Sequence, residues 1–361
     1  MSIKQSPGLR AALLLLLAAL MFTSFAFNAS AGFDEGQAAA KRGDFKTALS
    51  EWKPLADQGD ADAQYYLGVM YKHGLGVAQD YGQALAWYRK AADQGNAAAQ
   101  YELGVMYAKG QGVAQDYGQA GAWFRKAADQ GVAMAQFNLG VMYDNGRGVT
   151  QDYGQAVAWW RKAADQGFAL AQFNLGVMYF TGRGVTQDYS QAVAWYRKAA
   201  DQGNARAQNS LGVMYEHGRS VAHDYGQAVA WLRKAANQGN ANAQNNLAVM
   251  YDNGYGVAQD YSQAVAWWRK AANQGNANAQ PALGWMYEHG RGVAQDDIVA
   301  YALFNLSASI DSSNKNKVTS HRDSLLKHMT PDQIAAGQAL TRKMSARGNL
   351  LKALDEYLAH R

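Results

Sequence analysis

Three histidines, His73, His217 and His289, each stand immediately before a glycine at the same place in a recurring motif, and recurring imidazoles are the usual raw material of a metal site. The motif's other copies carry Lys109, Asn145, Thr181 and Asn253 at that place, and the histidine-bearing copies are not all neighbours. They read as solvated residues at a helix end, and no metal site is expected. Six Arg-Lys pairs, Arg89-Lys90, Arg125-Lys126, Arg161-Lys162, Arg197-Lys198, Arg233-Lys234 and Arg269-Lys270, form a ladder that could hold an anionic polymer. Cations also suit the last turns of a helix, where the backbone dipole is negative, and carboxylates such as Asp80 and Asp93 recur alongside. Signatures of catalysis are missing: there is no Gly-x-Ser-x-Gly elbow, no His-Glu-x-x-His and no cysteine, and the loop at Gly74 lacks the third glycine of a dinucleotide site. The expectation is no enzyme, no catalytic residue and no cofactor.

The elements that carry these residues repeat. The pentad LGVMY begins at Leu67, Leu103, Leu139, Leu175 and Leu211 and returns as LAVMY at Leu247 and LGWMY at Leu283, always 36 residues on. A fixed period of this size is the mark of a repeat array, in which stability comes from neighbouring units rather than one large core. With 21 Tyr, 11 Phe and 10 Trp against 4 Pro, the composition suits many short packed helices.

One unit, Ala63 to Ala98, accommodates two helices. The first runs from about Ala63 to His73 and stops at Gly74, since glycine adopts the left-handed conformation of a helix end without steric cost. The second opens at Asp80, with Gln83 placed to complete a reciprocal capping box, a pairing that recurs from Asp116 and Gln119 through Asp260 and Gln263. Ala84, Trp87, Tyr88 and Ala91 give this helix one apolar stripe, and Asn96 is positioned to cap the next unit. On the first helix Gln64, Leu67, Gly68 and Tyr71 share a packing face. A mid-helix glycine costs about 1 kcal/mol relative to alanine, so its return at Gly104, Gly140, Gly176, Gly212 and Gly284 predicts close backbone approach by the partner helix.

The ends differ. Lys4 and Arg10 precede an apolar run from Ala11 to Phe27, and Ala29-Ser30-Ala31 offers the small residues of a cleavage site, so residues 1–31 are expected to be a signal peptide. The run is at the short edge of what a membrane span needs, about 20 residues, and no later run approaches that length, so the mature chain is expected to have no stable membrane span and to be exported, periplasmic or secreted. Losing Lys4 and Arg10 lowers the formal charge from +5 to +3, too little to imply nucleic acid. The remaining excess lies in Lys315 to Arg361, which makes that tail the place for a weak contact with an anionic polymer.

The run AQYYLGVMYKHGLGVAQDYGQALAWYRKAADQGNA resembles the Sel-one-like repeat, a relative of the tetratricopeptide repeat with a longer internal loop, in its AQxxLG, its Tyr before GxGV, its Asp opening the second helix and its WYxKAAxQG. The resemblance covers seven units over residues 63–314, the seventh altered at Asp297-Ile298-Val299 and Leu303-Phe304. It implies an all-α fold, an α/α superhelical solenoid of helix-turn-helix repeats, flanked by a capping hairpin over 32–62 and a helical cap over 315–361 that begins anew at Thr330-Pro331-Asp332-Gln333.

Differences among copies separate packing from everything else. The Tyr65 slot reads Tyr101, Phe137 and Phe173, then Asn209, Asn245 and Pro281, while the Lys72 slot includes Asp144 and Phe180, and the valine slot between them includes Val141 and Val177. By resemblance to tetratricopeptide-like arrays this face lines a concave groove that holds a protein or peptide partner. Tyr65, Tyr101, Phe137, Phe173, Phe180, Val141, Val177, Asp144 and Asn209 are therefore the candidate binding residues. The alternative for the aromatics is packing between neighbouring first helices. The resemblance implies an envelope adaptor or host-interaction scaffold. A binder of cell-wall glycan or another anionic polymer is the alternative, and a cell-wall-type hydrolase is a third reading weakened by the lack of cysteine.

Overall fold

The structure, a computed structural model, describes residues 31–310, 315–346 and 349–360. The expected signal peptide falls almost entirely outside these residues. The described residues form nineteen helices and no strand. Two compact units divide the chain: one runs through Ala171 and takes in Arg183–Thr186, and the other holds Gln172–Gly182 and Gln187–Arg361.

The first unit opens with the expected hairpin, Ala31–Arg42 and Phe45–Asp57, turned at Gly43 with its φ of 81°. Next come paired 13-residue helices, Ala61–His73 with Tyr81–Asp93, Ala97–Lys109 with Tyr117–Asp129, and Ala133–Asn145 with Tyr153–Asp165. The first helix starts two residues earlier than the sequence reading placed it, because the Asp60 side chain accepts the Ala63 amide and caps it there. It ends as expected at Gly74, in the left-handed conformation.

The expected capping box is only half formed. Asp80 accepts the Gln83 amide at 3.0 Å, but its own amide, the group Gln83 was to satisfy, donates to the Tyr71 carbonyl. The same bond from the cap aspartate to the last residue of the pentad recurs in all seven repeats, from Asp116 with Tyr107 through Asp296 with Tyr287. A carbonyl orphaned at one helix end thus satisfies an amide at the start of the next helix. A reciprocal box does close at Thr330 and Gln333, with Pro331 in the first turn as expected.

The packing-face glycines are also explained. A Cβ on Gly68 would lie 2.5 Å from the Tyr88 ring, and on Gly104 and Gly140 equally close to Phe124 and Trp160. At these three positions what approaches is an aromatic side chain rather than the partner's backbone, and at Gly212 it is Leu232. Tyr88 is fully buried there, so burial offsets the glycine's helix cost.

A buried glutamine links neighbouring repeats. Gln100 is enclosed, donates to the Ala92 carbonyl at 3.1 Å and accepts from Gln130 of its own second helix at 2.8 Å. Gln64 with Ala56 and Gln94, and Gln136 with Ala128 and Gln166, repeat the arrangement. A buried amide satisfied on both sides fixes the register of one hairpin on the next.

The second unit builds the same way around Ala205–His217, Tyr225–Asn237, Ala241–Asn253, Tyr261–Asn273 and Ala279–His289. The altered seventh repeat keeps the essential packing. Phe304, on Asp297–Ile310, lies 3.0 Å from a Cβ placed on Gly284, and the buried Asp296 accepts the Ile298 and Val299 amides. Helices Lys315–Leu325, Pro331–Met344 and Leu350–Ala359 close this end. Thr341 donates to the Ala302 carbonyl, Asp355 pairs with Arg269, and Leu340 and Leu354 join the core.

Candidate partner-binding face

In each unit the first helices carry expected residues, beginning with Tyr65, Tyr101, Phe137, Val141 and Asp144 in the first. Tyr65 is buried, with its ring 5.8 Å from Tyr88 and 5.2 Å from Tyr66. Tyr101 is half-buried 5.7 Å from Phe124, and burial together with Glu102 raises its hydroxyl to about 12 despite a hydrogen bond with Asn138. Phe137 is half-buried and lies 5.2 Å from Phe168, while its carbonyl accepts the Trp160 indole at 3.1 Å. Val141 is half-buried on the next turn, and Asp144 pairs with Arg183 at 3.1 Å.

In the second unit Phe173 lies 5.9 Å from Tyr196, and Phe180 lies 5.3 Å from Tyr189 under the Arg219 guanidinium. Val177 packs at the edge of the same cluster. Asn209 accepts from Asn246 of the following repeat at 3.2 Å. The aromatic slot therefore serves its own hairpin's packing, with Tyr65 buried and Tyr101, Phe137 and Phe173 half-buried.

The sequence reading overlooked residues at the start of these helices. Asn96, Asn204 and Asn240 cap their helices through side-chain oxygens, but the equivalent places hold Val132, which makes no such bond, and Phe168. A lost cap costs about 1 kcal/mol. In the first unit this exchange places Phe168 against Phe137, with the 46% exposed Leu170 two residues on. The break in the asparagine pattern was the signal that could have found them.

The basic ladder is engaged within the fold. Arg89 donates to the Tyr107 hydroxyl of the next repeat and lies over Trp123, and Arg125 does the same with Tyr143 and Trp159. Lys90 folds over Trp87 at 4.1 Å, and Lys126 and Lys162 lie over their own tryptophans at 4.0 Å. These cations are held mainly by π faces and phenol oxygens.

The histidines have local surroundings. Burial lowers the His73 pKa, and His289 stacks on Trp285 with its Nδ1 3.0 Å from the Trp285 carbonyl. No group of three or more His, Cys, Asp or Glu side chains suited to a metal occurs among the described residues. No helix among them is long and apolar enough to cross a membrane. A cavity of about 310 Å³ in the second unit is lined by Pro281, Trp285, Phe304, Val318 and His321.

The Sel1 repeat family model matches seven consecutive segments, 61–96, 97–132, 133–168, 169–204, 205–240, 241–276 and 277–312. A crystal structure of a protective antigen present in uropathogenic Escherichia coli strains, displaying an SLR fold, is similar at 30% identity. That match covers 91% of this chain and 86% of the antigen, with a TM-score of 0.59. A Sel1 repeat protein from Oxalobacter formigenes is 33% identical over 68% of this chain and 96% of its own, with a TM-score of 0.61. No curated protein matches.

Proposed function

Since the chain belongs to the Sel1 repeat family, a family of repeat scaffolds, we propose that it is an exported scaffold that binds a protein or peptide segment on its first-helix face and catalyses nothing. The observation that carries this reading is the division of labour within the repeat. Packing positions such as Leu67, Gly68 and Gln64 are restated in almost every copy, whereas the first-helix surface changes from copy to copy. Variation on such a face is what recognition of a non-repetitive partner requires. Phe168 and Leu170 support it further, since a cap is given up there for exposed apolar surface.

Export is supported by the basic start, the apolar run and Ala29-Ser30-Ala31. The similar antigen from uropathogenic E. coli supports an envelope or host-facing setting, periplasmic or secreted.

The test is crosslinking of the tagged protein in its own envelope extract, comparing two variants. Replacing Phe137, Phe173 and Phe180 by Ala should weaken capture by roughly 2 kcal/mol per principal anchor, with helicity and denaturation midpoint tracked because each ring also packs on its hairpin. Replacing Arg161, Lys162, Arg197 and Lys198 should leave capture nearly intact at raised salt. The opposite pattern, with steep salt dependence, would instead establish the anionic-polymer reading.

A further inference from the structure

In four repeats the residue after the first loop glycine is an arginine that reaches back over the tyrosine opening the preceding repeat's second helix. Arg147 lies 5.8 Å from the Tyr117 ring centre, Arg183 4.2 Å from Tyr153, Arg219 5.8 Å from Tyr189 and Arg291 5.3 Å from Tyr261. These guanidinium groups also serve the preceding first helix at the Lys72 slot. Arg183 pairs with Asp144 there, Arg219 covers Phe180, and the charge of Arg291 acts on Asp252.

The first two repeats carry Leu75 and Gln111 at this place, and the sixth carries an aromatic residue. Tyr255 holds the arginine's place and stacks on Tyr225 at 4.6 Å with an interplanar angle of 6°, so it keeps the stacking half of the role and drops the ionic half. The acidic residue of the slot that receives no arginine from this place is Glu216. Burial raises the Glu216 pKa, and the neighbouring His217 and His223 offset this only in part. Tyr255 is 40% exposed.

Other departures fall in the loop that follows Glu216. His223 replaces the glutamine found as Gln79, Gln115, Gln151 and Gln187, and its ring lies 4.3 Å from Tyr225. Ser220 replaces a loop glycine and, among the described residues, is the non-glycine residue with a positive φ, 54°. Strain of this kind concentrates at functional sites.

We propose that Glu216 and the outer face of Tyr255 form a seat for an arginine side chain supplied by a protein partner. The incoming guanidinium pairs with the Glu216 carboxylate, as Arg183 pairs with Asp144, and its flat face lies on the outer side of the Tyr255 ring. Charge complementarity selects a cation, and a planar fork that both pairs with carboxylate and stacks on an aromatic selects arginine over lysine. The proposal rests on the scaffold reading and gives the chemistry of its partner.

The test titrates the full chain with N-acetyl-arginine N-methylamide at a pH above the histidine range, following glutamate carboxyl and tyrosine ring signals by NMR. Saturable shifts at Glu216 and Tyr255 are expected, weakened by about tenfold or more in Glu216→Gln and in Tyr255→Arg. The second variant supplies the chain's own cation and keeps the fold, since arginine occupies that place in four other repeats. The neutral citrulline analogue should give no response. Equal binding of citrulline, unchanged binding in Tyr255→Arg, or shifts centred away from Glu216 would each overturn the seat. If Tyr255→Arg captures the envelope partner normally while the triple phenylalanine variant loses it, the scaffold reading stands and the arginine seat falls.

Discussion

The Tyr71 carbonyl oxygen accepts the Asp80 amide at 2.9 Å, joining the end of one helix to the cap of the next. With that amide satisfied, the Asp side chain has one task, to hold the amide three residues on. This separates the contributions of the two residues that the sequence pairs as a box.

For the equivalent pair in the third repeat, Asp152→Ala should therefore cost about 1 kcal/mol, as loss of a helix cap does. Asp152→Asn should cost much less, and Gln155→Ala, at an exposed position, should fall within the scatter of surface substitutions. Urea midpoints at constant slope measure all three. A Gln155→Ala cost matching that of Asp152→Ala would mean that the box closes in solution.

Gly140→Leu should destabilise by about 1–3 kcal/mol or more, because even a Cβ there would come within 2.5 Å of Trp160. Gly140→Ala should be milder, since the sixth repeat carries Ala248 opposite Trp268. Lys109→Ala, at an exposed helix end, serves as the control. Thermal unfolding of the three variants ranks them, and equal midpoints would contradict the packing face.

Ser220→Gly should stabilise the protein by about 1 kcal/mol, because a left-handed backbone penalises any side chain with a Cβ. Glycine's extra freedom in the unfolded chain takes back part of that gain. Chemical denaturation measures it, and a loss of stability would show that the serine side chain has a compensating contact.

Alkali should weaken the fold through its tyrosines. Burial raises Tyr196 to about 12, with the Ser210 hydrogen bond acting against it, and Tyr101 rises to the same range. An unfolded tyrosine ionises near pH ~10, so above that value the unfolded state releases protons that the native state retains, and stability falls as pH rises toward the folded values. Urea midpoints at stepped alkaline pH should decline, and Tyr196→Phe should flatten the decline. An identical slope in the variant would remove Tyr196 as a contributor.

The sequence by itself determined the hairpin, its period and its ends. Gly74 stops the first helix and Asp80 starts the second because caps and left-handed turns are local demands that only a few residue types meet. The glycine in the pentad pointed to a close approach for the same reason, since nothing local repays its cost. Tertiary structure alone decided what the long side chains touch. Arg89 on Tyr107, Gln100 on Ala92 and Arg183 on Asp144 are contacts made across repeats, where the rotamers of flexible side chains answer to the neighbouring surface. Glu216 shows the consequence. Its type and position are plain in the sequence, but its lack of a cation becomes visible only once the fold sets Tyr255 on Tyr225, where other repeats place an arginine.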